Sequence, residues 1–249
     1  FVDAEMRQVF GLKKGQDIVL HSRLPGVNSV GEFRGLVRKL KNDTGVPVGV
    51  KIAASHYLEL ELAEILKAGV DFITLDGAEG ATHASSPTSE DDLGLPSIYA
   101  IARARRFIDG NGYKGKVSLL AGGGLFTPGR FTKALALGAD AVYIGTAAIL
   151  ALMSEQVTKV TPNEPPTQLI LHSGRMKDQF DPELGAKNLV NFLKVGMKEM
   201  TTLMYSLGKD AFSQLDRTDL CCLDPMLARA LNVPYAGVAG YEQENFYRD

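Results

Sequence analysis

The sequence predicts an α/β fold of parallel βα units, interpreted as the C-terminal part of a (β/α)8 TIM barrel with a helical C-terminal extension. Two observations carry this prediction. Short runs rich in β-branched residues alternate with helical periodicity from residue 17 to about residue 150, which is the pattern of βαβ units around a parallel sheet. Five candidate strands can be counted, and these are too few to close an eight-stranded barrel.

The candidate strands are continuous apolar runs, which is typical of parallel strands covered on both faces. They lie at residues 17–21, 46–52, 72–76, 116–121 and 141–145. Helices are predicted between them at residues 30–41, 57–68, 97–109 and 128–137. Gly69 and Gly138 stand where two of these helices should stop, and each is followed shortly by an Asp and a new strand. Glycine is typical of such helix ends because it readily takes the left-handed conformation.

The remainder of the chain reads as a different region. Residues 161–167 (TPNEPPT) form a polar, proline-rich segment that predicts a linker or loop. Residues 186–207 then predict one long amphipathic helix. We therefore divide the chain into a partial barrel at residues 1–155 and a linker with a mainly helical extension at residues 156–249.

Composition excludes several classes of protein. The net charge of −2 offers no broad electrostatic attraction to nucleic acid or an anionic membrane. No apolar run is long enough to cross a bilayer. Cys221 and Cys222, the only cysteines, cannot form a disulfide framework, which favours a reducing cytoplasmic setting. The histidines lack metal-ligand spacing, so no metal site is predicted. The chain begins at Phe1 and not at Met, which suggests a fragment or a processed chain.

The most informative local signal is the glycine run at Gly122, Gly123 and Gly124. It follows a candidate strand and precedes a helix for which Thr127 suits the N-cap and Pro128 the first position. Successive glycines free backbone N–H groups to wrap an anion, and a helix N-terminus favours negative charge. The alternative for such a run is a tight turn without a ligand.

A second loop of this kind carries Gly145 and Thr146, again between a strand and a helix. In (β/α)8 barrels, the loops after the last two strands commonly form a shared phosphate site. Two such loops, one βα unit apart, therefore predict phosphate binding.

Two further features are compatible with a ligand pocket. Residues 75–96 form a long loop of small residues, and loops of this length are usually functional or disordered. Lys51 ends an apolar run, where its ammonium could face a pocket and stabilise a phosphate or an electron-rich ring. A solvated surface loop and a solvated lysine are the alternatives, and both stay open.

Four segments resemble one family. They are VGVKIAASHYLELELAEILKAGVDFITLDGAEGATHASSP, LAGGGLFTPGRFTKALALGADAVYIGTAAILAL, NLVNFL and LDRTDL. In this order they resemble the FMN-binding domain of the glutamate synthase large subunit and its stand-alone relatives, over most of the chain. The resemblance implies FMN as the cofactor and residues 1–155 as part of an FMN-binding barrel.

The resemblance also implies roles for single residues. Lys51 would approach the flavin ring. The residues that would line the pocket loop are Asp76, Gly77, Glu79, Gly80 and Thr82. Those that would surround the FMN phosphate are Gly122, Gly123, Gly124, Gly145 and Thr146. No catalytic residue is assigned.

The departures from the family pattern are equally specific. Family synthases carry cysteines for an iron–sulfur cluster soon after the last barrel strand, whereas residues 151–174 contain none, so no cluster is expected. Asp91 stands where the family has a lysine that contacts the 2-oxoglutarate carboxylate. The early barrel strands and the glutaminase domain are absent from the sequence. A small-molecule substrate and an electron-donor or glutaminase partner subunit are implied.

The resemblance implies an FMN-dependent oxidoreductase domain of glutamate synthase type, which reduces an imino or keto acid in amino-acid metabolism. Two alternatives stay open. One is a non-catalytic barrel that binds FMN or another phosphate ligand, and the other is an incomplete fragment of such an enzyme. The substrate, the electron donor and a homo-oligomeric state are left open.

Overall fold

The computed structural model describes residues 2–17, 24–82 and 85–243. Within these ranges four parallel strands form one sheet in the order β1–β2–β3–β4. The strands are β1 (Gly49–Ala53), β2 (Phe72–Asp76), β3 (Ser118–Gly122) and β4 (Ala141–Val142). The register pairs Ala53 with Asp76 and Asp76 with Gly122, so β1, β2 and β3 end at the same edge. Apart from Asp17, the strand predicted at residues 17–21 lies outside the described residues.

The four helices predicted between the strands are present, and shorter helices that the sequence did not predict include one inside the loop predicted at residues 75–96. The helices are α1 (Ala4–Val9), α2 (Val30–Thr44), α3 (Leu58–Lys67), α4 (Pro87–Asp91), α5 (Ser97–Gly110), α6 (Pro128–Ala136), α7 (Thr146–Met153), α8 (Thr167–Ile170), α9 (Pro182–Ser206) and α10 (Pro225–Leu231). None of these helices combines the length and the apolar character that a membrane span requires.

Helix ends agree with the capping signals in the sequence. The Thr127 hydroxyl accepts a hydrogen bond from the Arg130 amide at the start of α6. Gly69 and Gly138, each two residues after the last residue of α3 or α6, have positive φ angles of 79° and 115°. Helix α9 begins four residues earlier than predicted, at Pro182 rather than residue 186, because the Asp181 side chain accepts from the Leu184 amide.

Strand β4 is shorter than the predicted 141–145, since only Ala141 and Val142 belong to the ladder. The Tyr143 amide still donates to the Ala121 carbonyl at 3.0 Å. Beyond Tyr143 the chain turns through Gly145 into α7. The early end of β4 therefore places Tyr143 at the edge where the strands of the sheet end.

Side chains alternate between the two faces of the sheet. Ile73, Leu75 and Leu119 are fully buried beneath the helices in the main hydrophobic core. Residues of opposite parity, such as Lys51 and Asp76, lie on the other face. The strands were expected to be covered on both faces. Within the described ranges helices cover one face, and the second face carries the polar groups of the candidate site.

The C-terminal region packs directly on the βα units. Helix α9 contacts α6 and α7, and a Cβ placed at Gly196 would lie 3.5 Å from the Pro128 Cγ. Leu231 and Val233 are buried in the same hydrophobic core as the strands. The division at residues 155 and 156 stays a prediction, but side chains from beyond that boundary complete the core.

Candidate functional site

Three polar side chains meet at the edge where the strands end. The Lys51 Nζ lies 2.8 Å from the Asp76 Oδ2. The Tyr143 hydroxyl donates a hydrogen bond to the other carboxylate oxygen, Oδ1. The Lys51 ammonium also stands 5.1 Å from the centre of the Tyr143 ring, within cation–π range. One carboxylate thus holds a cation and a phenol side by side.

Burial and pairing shift the pKa values of two of these groups. The pKa of Tyr143 is raised to about 12, first by burial and then by its hydrogen bond to Asp76. The pKa of Lys51 is raised above its ordinary value, chiefly by its hydrogen bond to Asp76. Around neutral pH the phenol is therefore protonated and the amine is an ammonium ion.

Gly122 leaves the space for this contact and is missing from the linings of the two cavities described below. It is buried at the end of β3, opposite Asp76 in the register. A Cβ at Gly122 would stand 2.5 Å from the Tyr143 Cζ and 2.6 Å from the Asp76 Oδ1. Any side chain here would separate the phenol from the carboxylate. The structure thus gives this predicted phosphate-loop residue a packing role.

The pocket loop after β2 is held against the start of α5. The Glu79 carboxylate accepts hydrogen bonds from the Ser97 amide and the Ser97 hydroxyl, both at 2.8 Å. The Gly77 amide donates to the Gly122 carbonyl at 3.2 Å. A Cβ at Gly77 would lie 2.5 Å from the Ser97 backbone nitrogen. Gly77 and Glu79 therefore fix the loop in place.

The glycine run after β3 lies close against this pocket loop. Gly123 and Gly124 have φ angles of 100° and 66°, which favour glycine. The Gly123 carbonyl lies 2.9 Å from the Ser97 hydroxyl, as an alternative acceptor to Glu79 for its single proton. The Gly124 carbonyl accepts from the Arg130 Nη1 at 2.7 Å. The amides of both glycines, in the part of the chain that the structure describes, donate no hydrogen bond to protein. No acceptor among the described residues therefore competes with a ligand for these two donors.

The loop after β4 presents donors in the same way. Gly145 is the N-cap of α7 and Thr146 is its first residue. Among the described residues, neither amide has an acceptor within the protein. A Cβ at Gly145 would meet no atom of the described residues within 4 Å, so this position faces open space in that part of the chain. The N-terminus of α7 adds the positive end of its dipole to these donors.

Most of the predicted site residues line one cavity of about 220 Å³. Those that it brings together are Lys51, Asp76, Glu79, Gly80, Thr82, Gly123, Gly124, Gly145 and Thr146. A second cavity of about 760 Å³ adjoins it and shares Lys51, Asp76, Gly80 and Thr82. Gly77 lines only this larger cavity. The two glycine loops therefore converge on a common space that opens towards the Lys51 ammonium.

Sequence reasoning missed two residues of the site. Tyr143 stands within a predicted strand. Because side chains alternate between the two faces of a strand, its position could have shown which face of the sheet it lies on. Ser97 opens α5 after Pro96, which has no side-chain acceptor to cap the helix. That missing cap indicated that an acceptor from elsewhere, here Glu79, would be needed.

Other candidates lie away from this space or beside it. Asp91 and Asp92 are exposed and line neither cavity. Their carboxylates therefore do not directly face a ligand carboxylate bound in these cavities. Cys221 is exposed and Cys222 half-buried. His83, in the middle of the pocket loop, lies outside the described residues.

Comparison with known sequences identifies relatives over most of the chain. The family described as "Conserved region in glutamate synthase" matches residues 2–210. An archaeal-type glutamate synthase [NADPH] of Dehalococcoides mccartyi is 32% identical over 86% of this chain and 43% of its own length. A glutamate synthase large subunit-like protein of Rhizobium meliloti is 32% identical over 78% of this chain and 48% of its own length. The chain thus spans less than half the length of these relatives.

Solved structures support the fold. One flavocytochrome b2 variant superimposes with a TM-score of 0.52 at 17% identity, covering 98% of this chain and 48% of that chain. Another, with benzoylformate, gives a TM-score of 0.50 at 19% identity over 76% of this chain and 37% of that chain. Together with the parallel strands, this likeness confirms the predicted fold class. The family match over residues 2–210 confirms the resemblance seen in the sequence, and the chain belongs to the glutamate synthase family.

Proposed function

We propose that this chain is an FMN-dependent oxidoreductase domain of glutamate synthase type that reduces an imino or keto acid. The observation that carries the proposal is the convergence of two glycine loops, whose amides have no acceptor among the described residues, on one cavity beside Lys51. Family membership supports the same conclusion. The activity, the substrate and the partners of the larger relatives enter here only as parts of this proposal.

The donor set suits the phosphate of FMN. Amides at Gly123, Gly124, Gly145 and Thr146 line the same cavity and have no acceptor among the described residues. Backbone donors at a helix N-terminus bind a dianion without requiring a cationic side chain. Glu79 also lines this cavity, but its carboxylate accepts two hydrogen bonds from Ser97 at the N-terminus of α5. Those bonds turn this negative group towards α5.

Lys51 suits a place beside the flavin ring. Its side chain is 58% exposed and lies where the two cavities join. FMN, when bound, supplies the hydride chemistry, while the protein supplies orientation and charge. The Lys51 ammonium would place positive charge against an electron-rich ring. Asp76 and Tyr143 hold that ammonium from one side, so its remaining donors face the cavity.

The charges around the larger cavity bear on the substrate class. Among the described residues Lys51 is the one lysine or arginine that lines either cavity. Its charge is already balanced by Asp76 at 2.8 Å. A second carboxylate would therefore find no dedicated cation among the described residues that line these cavities, and an unpaired buried charge is costly. These charges support a monocarboxylic 2-imino or 2-oxo acid over the dicarboxylate 2-oxoglutarate.

The test has two stages. FMN is first titrated into the purified chain, and binding is followed by quenching of flavin fluorescence and by a 1:1 endpoint. Bound flavin is then reduced, with NADPH as the first donor because the names of the relatives include it. Reoxidation is compared for pyruvate plus ammonia and for 2-oxoglutarate plus ammonia. Faster reoxidation by the monocarboxylate supports the proposal.

The outcomes separate the alternatives. No FMN binding at micromolar concentrations would overturn the proposal for this chain. Tight binding without reoxidation by any imino or keto acid would identify a non-catalytic flavin-binding barrel. Rapid reoxidation by 2-oxoglutarate would retain the oxidoreductase assignment but refute the inferred substrate class. An electron-donor or glutaminase partner subunit belongs to the same proposal, and addition of such a subunit should raise the turnover rate.

A further inference from the structure

We propose that Asp76 and Tyr143 are positioning residues for Lys51, with Tyr143 acting through Asp76. The proposal deepens the proposed function, on which its importance for catalysis rests. Its evidence is the geometry of the three side chains. Among the described residues the two Asp76 carboxylate oxygens have different partners, since Oδ2 lies 2.8 Å from the Lys51 Nζ and Oδ1 accepts from the Tyr143 hydroxyl.

The exposed fractions of the Lys51 and Asp76 side chains show why Lys51 needs positioning. The Lys51 side chain is 58% exposed, whereas that of Asp76 is 16% exposed. A long, exposed lysine samples many rotamers, and holding it in one place costs conformational entropy. The Asp76 carboxylate, anchored at the end of β2, supplies the fixed point to which the ammonium is bound.

Tyr143 restricts the carboxylate itself. A carboxylate with a single partner can turn about its terminal torsion, because that torsion is broad. A hydrogen bond to the second oxygen removes this freedom and directs Oδ2 towards Lys51. The Tyr143 ring also forms a wall 5.1 Å from the ammonium. The hydroxyl and the ring therefore restrict Lys51 by separate contacts.

The backbone is shaped for this contact. A Cβ at Gly122 would overlap both the phenol and the Asp76 carboxylate, at 2.5 Å and 2.6 Å. The other titratable side chains that line these cavities in the described residues are Glu79, His56 and Tyr57. Glu79 is bound by Ser97, so Asp76 is the acidic group that pairs with Lys51.

The test measures the acetylation rate of Lys51 by site-resolved mass spectrometry, in the chain without added flavin. Only the unprotonated amine reacts. Pairing with Asp76 raises the pKa of Lys51 and keeps the amine protonated, so loss of this pairing speeds the reaction. Asp76→Asn should accelerate it about tenfold, as a fall of about one pKa unit would. Tyr143→Phe keeps the ring and should accelerate it about threefold. Asp76→Glu should restore part of the wild-type rate.

A double variant distinguishes a relay from two independent effects. If Tyr143 acts mainly through Asp76, Tyr143→Phe should accelerate the reaction much less in an Asp76→Asn background than in wild type, because the hydroxyl then keeps only its weaker direct interaction with Lys51. Lys41 is the internal control, because it pairs with Asp71 at 2.8 Å far from this site, and its rate should stay constant. Tyr205→Phe, at an exposed position, is the matched tyrosine control.

Each outcome decides the proposal. Acceleration by both single variants, without additivity and with Lys41 unchanged, supports it. A wild-type Lys51 rate in Tyr143→Phe, or additive effects in the double variant, would overturn it. Acceleration at Lys41 as well would show general unfolding of that variant. Asp76→Glu, which keeps the carboxylate, then decides: at a wild-type melting temperature, a Lys51 rate nearer to wild type than that of Asp76→Asn supports the proposal, and an equal rate overturns it. FMN titration stays separate, so weak flavin binding would refute the proposed function and leave the acetylation result intact.

Discussion

Glu79 and Ser97 close the pocket loop onto helix α5. The Glu79 carboxylate accepts from both the amide and the hydroxyl of Ser97, at 2.8 Å each. Pro96, the N-cap of α5, contributes no side-chain acceptor. Glu79 therefore caps this helix from a distant loop, where negative charge also complements the helix dipole.

Removal of this cap should destabilise the protein. Glu79→Ala leaves the Ser97 amide without its acceptor, and we expect a loss of about 1–3 kcal/mol in the free energy of unfolding. Glu79→Gln keeps a side-chain oxygen and should lose less. Urea denaturation measures both, with the exposed Glu155→Ala as the control within about 0.5 kcal/mol of wild type. An unchanged midpoint for Glu79→Ala would show that other contacts hold the loop.

The phosphate site can be tested at Gly145 without disturbing the backbone. Gly124 is unsuitable, because its φ of 66° and a 2.9 Å approach to the Glu79 Cβ strain any substitution. A side chain at Gly145 meets open space. Gly145→Asp should weaken FMN binding by about thirtyfold or more, or about 2 kcal/mol, through charge repulsion.

Gly145→Asn is the matched control, since it has the same shape without the charge. Fluorescence titration should place its dissociation constant much nearer to wild type than that of Gly145→Asp. Equal weakening by both variants would indicate a steric effect. Wild-type affinity in Gly145→Asp would place the phosphate elsewhere.

Stability should fall at alkaline pH because of Tyr143. Its folded-state pKa of about 12 lies above the ordinary value of 10.0, so folding favours the protonated phenol. This contribution is fully present below the unfolded-state pKa and is lost as the pH rises through the folded-state value. The raised pKa of Lys51 acts in the same direction above its ordinary 10.5.

The measurement is the urea midpoint at several pH values between about 8 and 12. Tyr143→Phe removes one of the two titrating groups, so its decline should be shallower than that of wild type. Tyr205→Phe, exposed on α9, should follow the wild-type curve. Parallel curves for wild type and Tyr143→Phe would contradict the assigned shift.

No iron–sulfur cluster should accompany the flavin. Thiolates are the usual ligands of such clusters, and residues 151–174 contain no cysteine where family synthases carry them. Iron and acid-labile sulfide assays on anaerobically purified protein should give values close to zero per chain. Stoichiometric iron together with sulfide would refute this prediction.

The sequence by itself determined the order of the elements and the places of the loops. Strand β2 (Phe72–Asp76) has the predicted bounds, and α3 and α6 end two residues before the glycines that were predicted to stop them. These features depend on local causes, namely periodicity, capping and the conformational range of glycine. The family resemblance likewise depended on ordered motifs, and the match over residues 2–210 confirms it.

Only the tertiary structure decided what each glycine and each charge does. Tyr143 and Asp76 are 67 residues apart in the chain, and their contact depends on strand register and on the early end of β4. The same register sets Gly122 against that contact, while Gly145 faces open space. Local patterns do not encode such pairings, because a shift of one residue in register would move every side chain to the opposite face of the sheet.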